Sequence, residues 1–162
     1  MRIDRTEVSL RMERFETACR GAGIKITNQR VEIFREVAQT GDHPDAETVY
    51  RGVSKRLPRV SLDTVYRTLW MLKDLGLIGV LGASRDRARF DANLAKHHHF
   101  ICQQCGLARD FASDAFDQLP LPESLSAIGR TETLHIEARG LCLRCAANPK
   151  PQSTKPEKES MP

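Results

Sequence analysis

A chain of 162 residues with 40% apolar side chains can bury one ordinary core or two small ones, which sets wholesale disorder aside. No window approaches the roughly 18 consecutive apolar residues that span a bilayer, and Met1-Arg2-Ile3-Asp4-Arg5 leads into charged residues rather than a signal core, so a cytoplasmic protein with no membrane partner is expected. The net charge of +4 is uneven: residues 1–90 carry 17 Lys and Arg against 12 Asp and Glu, whereas residues 91–148 carry 5 against 7. A basic first half suits a polyanion partner, and an ordinary solvated surface would give the same count.

Residues 1–9 read as a flexible N-terminus. A first helix is expected from about Leu10 to Ala22, ending at Gly21-Ala22-Gly23. Thr27 can cap a second, with Val31, Phe34 and Val37 or Ala38 inward. Asp45 can cap a third carrying Val49, Val53 and Leu57, which Pro58 stops. Ser61 then caps a fourth, 62-LDTVYRTLWMLKDLG-76, with Leu62, Val65, Leu69 and Leu72 on one stripe and Gly76 at the C-terminal cap. Its opposite face shows Thr64, Arg67 and Thr68. Residues 77-LIGVLGASRDRARFD-91 form two short β-like runs about a turn, carrying Arg85, Arg87 and Arg89.

Short helices followed by a basic hairpin follow the order of a winged helix-turn-helix, here over residues 10–90. In that fold the fourth helix enters the major groove of double-stranded DNA and the wing lies along phosphates. Tyr66 and Arg67 are then the leading candidates for operator contact, with Thr64 and Thr68 in support, and Arg85, Arg87 and Arg89 add sequence-independent affinity. A plain helical bundle with a surface hairpin fits the same pattern, with Tyr66 packed in its core.

From Ala92 the character changes. Strands are expected near His97–Ile101, Ala108–Phe111 and Glu132–Ala138, with a short helix and a Pro-interrupted segment within 113-SDAFDQLPLPESLSAIG-129. Residues 91–147 thus form a small C-terminal α/β unit, and the chain as a whole is α+β. A unit this small needs a metal or a partner chain. Residues 148–162, rich in Pro, Lys, Glu and Ser, read as a disordered tail.

Five cysteines in a chain without an export signal argue for metal or redox work rather than a disulfide framework. Cys102 and Cys105 form one C-x-x-C and Cys142 and Cys145 another, with 36 residues between the two pairs. Two such pairs can close one tetrahedral four-thiolate zinc site, and a closed site is structural rather than catalytic. The rival, a pair of redox dithiols, calls for a C-x-x-C that opens a helix in a thioredoxin-like pattern, which is absent. In 97-HHHFICQQCG-106, strand alternation points His97 and His99 one way and His98 the other. Asp91 and Asp110 flank this segment, and nitrogen and oxygen donors suit a divalent ion such as iron, manganese or zinc; a surface histidine cluster is the alternative. Cys19 reads as a buried helix residue.

The pieces 25-KITNQR-30, 43-HP-44, 61-SLDTVYRTLWMLKDLGLI-78, 90-FD-91, 97-HHHFICQQCG-106, 110-DF-111 and 140-GLCLRC-145 together resemble the Fur (ferric uptake regulator) family of metal-dependent bacterial transcription repressors, over roughly residues 10–147. The resemblance implies a homodimer on a pseudo-palindromic operator, a dimerisation domain at residues 91–147 and structural Zn2+ on the four cysteines. It also implies a regulatory Fe2+ or Mn2+ held by His43, Asp91, His97, His99 and Asp110. Iron-sensing members usually carry glutamate at the two acidic places and peroxide-sensing PerR members aspartate, so Asp91 and Asp110 make this chain look PerR-like, with His43 and His97 as the histidines that peroxide would oxidise. Such proteins often hold a further metal using the residue before the H-x-H and its middle residue. Here those are Lys96, a poor ligand, and His98; Asp117 and His135 could join His98, but a surface role for His98 is expected.

Overall fold

The computed structural model describes residues 2–82, 88–132 and 134–148. Helix α1 (Arg5–Gly21) starts where the Asp4 carboxylate accepts the Thr6 N–H, so the helix begins five residues before the expected Leu10 and residues 5–9 are helical. Helix α2 (Asn28–Ala38) is capped by Thr27, α3 (Ala46–Ser54) by Asp45 and α4 (Leu62–Asp74) by Ser61, each through a side-chain oxygen that accepts a backbone N–H three residues on. At the end of α4, Gly76 takes a φ of 67° and Leu77 N–H reaches back to Leu72 O at 3.0 Å. That left-handed residue releases the chain toward the hairpin.

The first core gathers Phe15 and Cys19 of α1, Ile33, Phe34 and Val37 of α2, Val49 and Val53 of α3, and Val65, Leu69 and Leu72 of α4. Phe15 stacks on Phe34 at 5.0 Å between ring centroids. The half-buried Val31 gives way to Ile33 on α2, because α1, α3, α4 and the strand that ends at Asp91 all pack against that helix and widen its apolar face. Glu32, also buried there, is paired with Arg35 and with Arg56 at 2.6 Å.

Strands β1 (Gly79–Leu81) and β2 (Arg89–Asp91) pair antiparallel, Val80 opposite Phe90, as the arms of a wing. Phe90 is fully buried and meets Trp70 edge-on at 6.1 Å, so the wing is anchored to α4. Its N–H donates to Pro44 O at 3.0 Å, which ties the loop between α2 and α3 to β2.

The second unit is a three-stranded sheet in the order β4-β3-β5. Central β3 (His98–Cys102) pairs antiparallel with β4 (Ala108–Phe111) and parallel with β5 (Glu137–Gly140). The crossover carries α5 (Asp114–Asp117) and α6 (Glu123–Ser126), and α7 (Leu143–Ala147) follows β5. The third strand starts at Glu137 instead of near Glu132. Its register sets Glu137 opposite His99, one residue from the start of β3, and the Ile136 carbonyl accepts the His99 N–H at 3.0 Å.

Candidate metal centres and nucleic-acid interface

Five side chains from both units converge. His43 sits in the loop after α2 with a φ of 48°, a left-handed conformation in which histidine is enriched among non-glycine residues. The Arg89 guanidinium donates to its carbonyl at 3.1 Å and fixes that turn. Asp91 ends β2, His97 and His99 flank the start of β3, and Asp110 lies directly opposite His99 on β4. His43 Nε2 lies 2.7 Å from Asp110 Oδ1 and 3.5 Å from Asp91 Oδ2; His97 Nε2 lies 2.9 Å from Asp91 Oδ2 and 2.8 Å from His99 Nε2. All five ligand atoms lie within 4.8 Å of one another.

The supporting contacts aim these atoms inward. His97 Nδ1 is 2.6 Å from Ala95 O, which can only accept, so Nδ1 carries the proton and Nε2 presents a lone pair to the centre. Asn93, which sequence reasoning passed over, holds one oxygen of each carboxylate: its N–H donates to Asp91 Oδ1 at 2.8 Å and its Nδ2 to Asp110 Oδ2 at 3.0 Å. Asp91 Oδ2 and Asp110 Oδ1 are left facing the histidines. The D-x-N spacing of an Asx turn was the available signal.

Burial opposes a charge on His43, but the carboxylates of Asp91 and Asp110 outweigh it and hold its pKa above the ordinary histidine value. Burial likewise opposes a charge on Asp91, yet His43, His99 and the Asn93 N–H keep it well below the usual carboxylate range. Both His43 nitrogens and Asp110 Oδ1 are buried without a hydrogen bond of good geometry. Buried nitrogen and oxygen atoms set this close, with no well-formed hydrogen bond on His43 Nε2 or Asp110 Oδ1, fit a divalent cation with nitrogen and oxygen ligands.

The second cluster is confined to one unit. Cys102 ends β3, Cys105 follows in the knuckle, Cys142 precedes α7 and Cys145 lies within it, and their sulfurs lie within 4.8 Å of one another. Gly106, with a φ of 70°, closes the knuckle as its N–H meets Cys102 O at 2.8 Å. No disulfide joins the described cysteines. The Cys142 and Cys105 amides push the Cys102 thiol down to about 6, and the Leu107 amide lowers Cys105. Burial and the three neighbouring thiols push Cys145 up to about 12. Four thiolates this close need a cation, and the set fits structural zinc.

His98 points to the other face of β3, as alternation requires, but it is fully buried between Phe111 and Phe116 at 5.4 and 5.5 Å. The expected surface role is therefore corrected: α5 folds over this face. Cys19 is buried in the first core.

On α4, Arg67 is exposed and forms an ion pair with Asp63 at 3.0 Å, and the half-buried Thr64 lies beside it. Tyr66 is half-buried and lines a groove of about 690 Å³ with Ile24, Trp70 and Met71. Thr68 does not stand on the open face: it is buried, because positions 65, 68, 69 and 72 share one helical stripe. A second groove of about 580 Å³ runs between the start of α2 and α4, where Lys25, Thr27, Gln29 and Arg30 join Thr64 and Arg67; the segment 25-KITNQR-30 was read for its cap and for the family resemblance, not for DNA contact. Arg85 and Arg87 lie outside the described residues. Arg89 is no free wing cation, since the His43 carbonyl engages it.

The ferric uptake regulator family matches residues 21–127. The chain belongs to this family. A curated relative, the peroxide-responsive repressor PerR of Staphylococcus aureus strain Mu50, is 31% identical over 146 residues, covering 90% of this chain and 98% of the relative. A solved zinc-bound manganese uptake regulator is 30% identical and covers 79% of this chain and 98% of its own, with a TM-score of 0.62. The Helicobacter pylori ferric uptake regulator Fur shares the fold at 22% identity, with a TM-score of 0.71 and coverage of 90% and 97%. As a Fur-family member the chain is a metal-dependent transcriptional regulator that binds DNA as a dimer, and not an enzyme. No helix among the described residues is long and apolar enough to cross a membrane.

Proposed function

We propose that this protein is a cytoplasmic, peroxide-responsive repressor whose regulatory ion, Fe2+ or Mn2+, is held by His43, Asp91, His97, His99 and Asp110, with Zn2+ on Cys102, Cys105, Cys142 and Cys145. The observation that carries the reading is the convergence of three histidines and two aspartates on one point, with His43 from the helical unit and Asp110 from the sheet. A cation there favours the docked arrangement of the two units, and docking sets the spacing of the two α4 helices in a dimer against a pseudo-palindromic operator. Arg67 and Thr64 read the DNA, Tyr66 borders the same surface, and Lys25 and Arg30 meet phosphates. Exposed Leu141 and Leu143 beside the edge strand β5 supply an apolar face for the second copy.

The pair of aspartates, together with the resemblance to a curated PerR, supports peroxide sensing over iron sensing. Fe2+ held there would supply redox chemistry toward peroxide, lending electrons that the ring C–H returns. One oxygen is then added to a ring carbon of His43 or His97, the other leaves as water, and the peroxide gains the two electrons that the ring C–H loses. His97 is suited to this by its fixed Nε2, and His43 by joining the two units.

The Fe2+ and Mn2+ forms should be treated with peroxide and their peptides examined by mass spectrometry. The expected result is one added oxygen on His43 or His97 in the iron form alone, with loss of operator binding. Oxidation in neither form would contradict peroxide sensing and favour a Fur-type iron sensor that controls iron uptake.

A further inference from the structure

Behind the regulatory cluster, on the opposite face of β3, lies a second set of polar groups that the proposed mechanism does not use. His98 is fully buried, and Ile136 N–H donates to its Nδ1 at 3.4 Å, so Nε2 turns toward Asp117 at the end of α5. His98 Nε2 lies 3.3 Å from Asp117 Oδ1, and both atoms are buried without a hydrogen bond of good geometry. An imidazole nitrogen and a carboxylate oxygen arranged this way would be half of a divalent-metal site only if Nε2 gave up the proton that an accepting Nδ1 leaves on it.

The remaining half is Lys96. Its Nζ donates to Asp117 O at 2.9 Å and lies 3.2 Å from Asp117 Oδ1, the same oxygen that faces His98. An ammonium has three donors and no lone pair while charged, so it cannot ligate a cation and repels one. No third ligand compensates: His135 is exposed, and the described His, Cys, Asp and Glu residues form only the two clusters already given.

We infer that Lys96 is a built-in cation that takes the place of a third metal, so that this face of the sheet is closed by a fixed charge and binds no divalent ion. Its stem crosses from the start of β3 to the end of α5 and fastens that short helix over His98, Phe111 and Phe116. The consequence is a division of labour: the outer face of β3 is indifferent to metal supply, and the response to metal is left to the five-residue cluster. The inference rests on the proposed regulatory site only for that last clause.

The test counts metals in the full-length, zinc-loaded protein, dialysed to equilibrium against Co2+ and assayed by mass spectrometry of total metal. Asp117→Asn is expected to leave the count of the wild type unchanged, and so is His98→Gln. Lys96→His is expected to gain one equivalent per protomer, which adding Asp117→Asn removes. Loss of one equivalent from the wild type on Asp117→Asn would overturn the inference, as would a Lys96→His protein that keeps its zinc and gains no cobalt. His43→Ala in the same assay reports on the regulatory cluster separately, so failure of that assignment is distinguishable.

Discussion

The two metal clusters lie in one small protein and differ in almost every respect that matters for function. The four cysteines come from one unit, one pair on the knuckle turn after β3 and the other at the start of α7, and together they hold the end of β3 against that helix. The three histidines and two aspartates come from both units: His43 from a loop, Asp91 from the β1–β2 hairpin, and His97, His99 and Asp110 from or beside the three-stranded sheet. A cluster within one unit can only stabilise that unit; a cluster across two can report on whether they are docked. The same contrast governs the protons. The cysteine set lowers Cys102 to about 6 with amide N–H groups, preparing it to hold a cation permanently. The histidine set raises His43 with carboxylates, so a proton and a metal compete for one place.

The largest expected effect breaks the anchor. Cys142→Ser should strip zinc and unfold the sheet unit, since structural zinc contributes on the order of 10–16 kcal/mol near neutral pH; metal content with far-UV circular dichroism measures it. A folded, zinc-free variant would remove the distinction between the clusters. Next, Asn93→Ala should weaken Mn2+ binding by roughly 10- to 100-fold, because outer partners that orient ligands are worth about that much. Zinc content should not change, and an unaltered Mn2+ affinity would show that the two carboxylates are aimed by something else.

A pH series sharpens the same contrast. His43 must lose its proton to bind metal, and its pKa is raised, so Mn2+ affinity should fall with decreasing pH from above the usual histidine range while zinc is retained. In the metal-stripped protein the sign reverses. Protonated His43 beside Asp91 and Asp110 stabilises the docked units fully below the unfolded value of 6.5, and that stability is lost as pH rises through the raised folded value. Asp91, lowered from 3.8, contributes above that value and loses its contribution as pH falls through the folded one. Denaturation of the stripped chain against pH checks both directions. The smallest effect is at Asp45, whose carboxylate accepts the Thr48 N–H at 2.8 Å to start α3. Asp45→Ala should cost about 1 kcal/mol in urea denaturation, with neither metal affected.

The sequence made some of this legible because the relevant physics was local. The caps Thr27, Asp45 and Ser61, the hairpin, and the alternation of His97, His98 and His99 depend on residues a few positions apart, and the structure has each of them. The four cysteines were readable because a C-x-x-C brings its own turn. What failed needed long-range contacts. His98 became buried only because α5 folds back across β3, and Arg89 is drawn toward the helical unit because the His43 carbonyl, 46 residues away, engages it. Asn93 and Lys96 act on partners 17 and 21 residues distant, and the D-x-N spacing announces only the contact of Asn93 with Asp91. Thr68 is a different failure: the stripe at 65, 69 and 72 already included it, and its hydroxyl was read ahead of its position.

The central claim is that a cation bridging the two units controls DNA binding, and operator affinity measured with and without Mn2+ for wild type and His43→Ala tests it most directly. The expected result is tight, metal-dependent binding by the wild type and weak, metal-independent binding by His43→Ala, with equal zinc in both. Unchanged metal dependence in His43→Ala would contradict the claim.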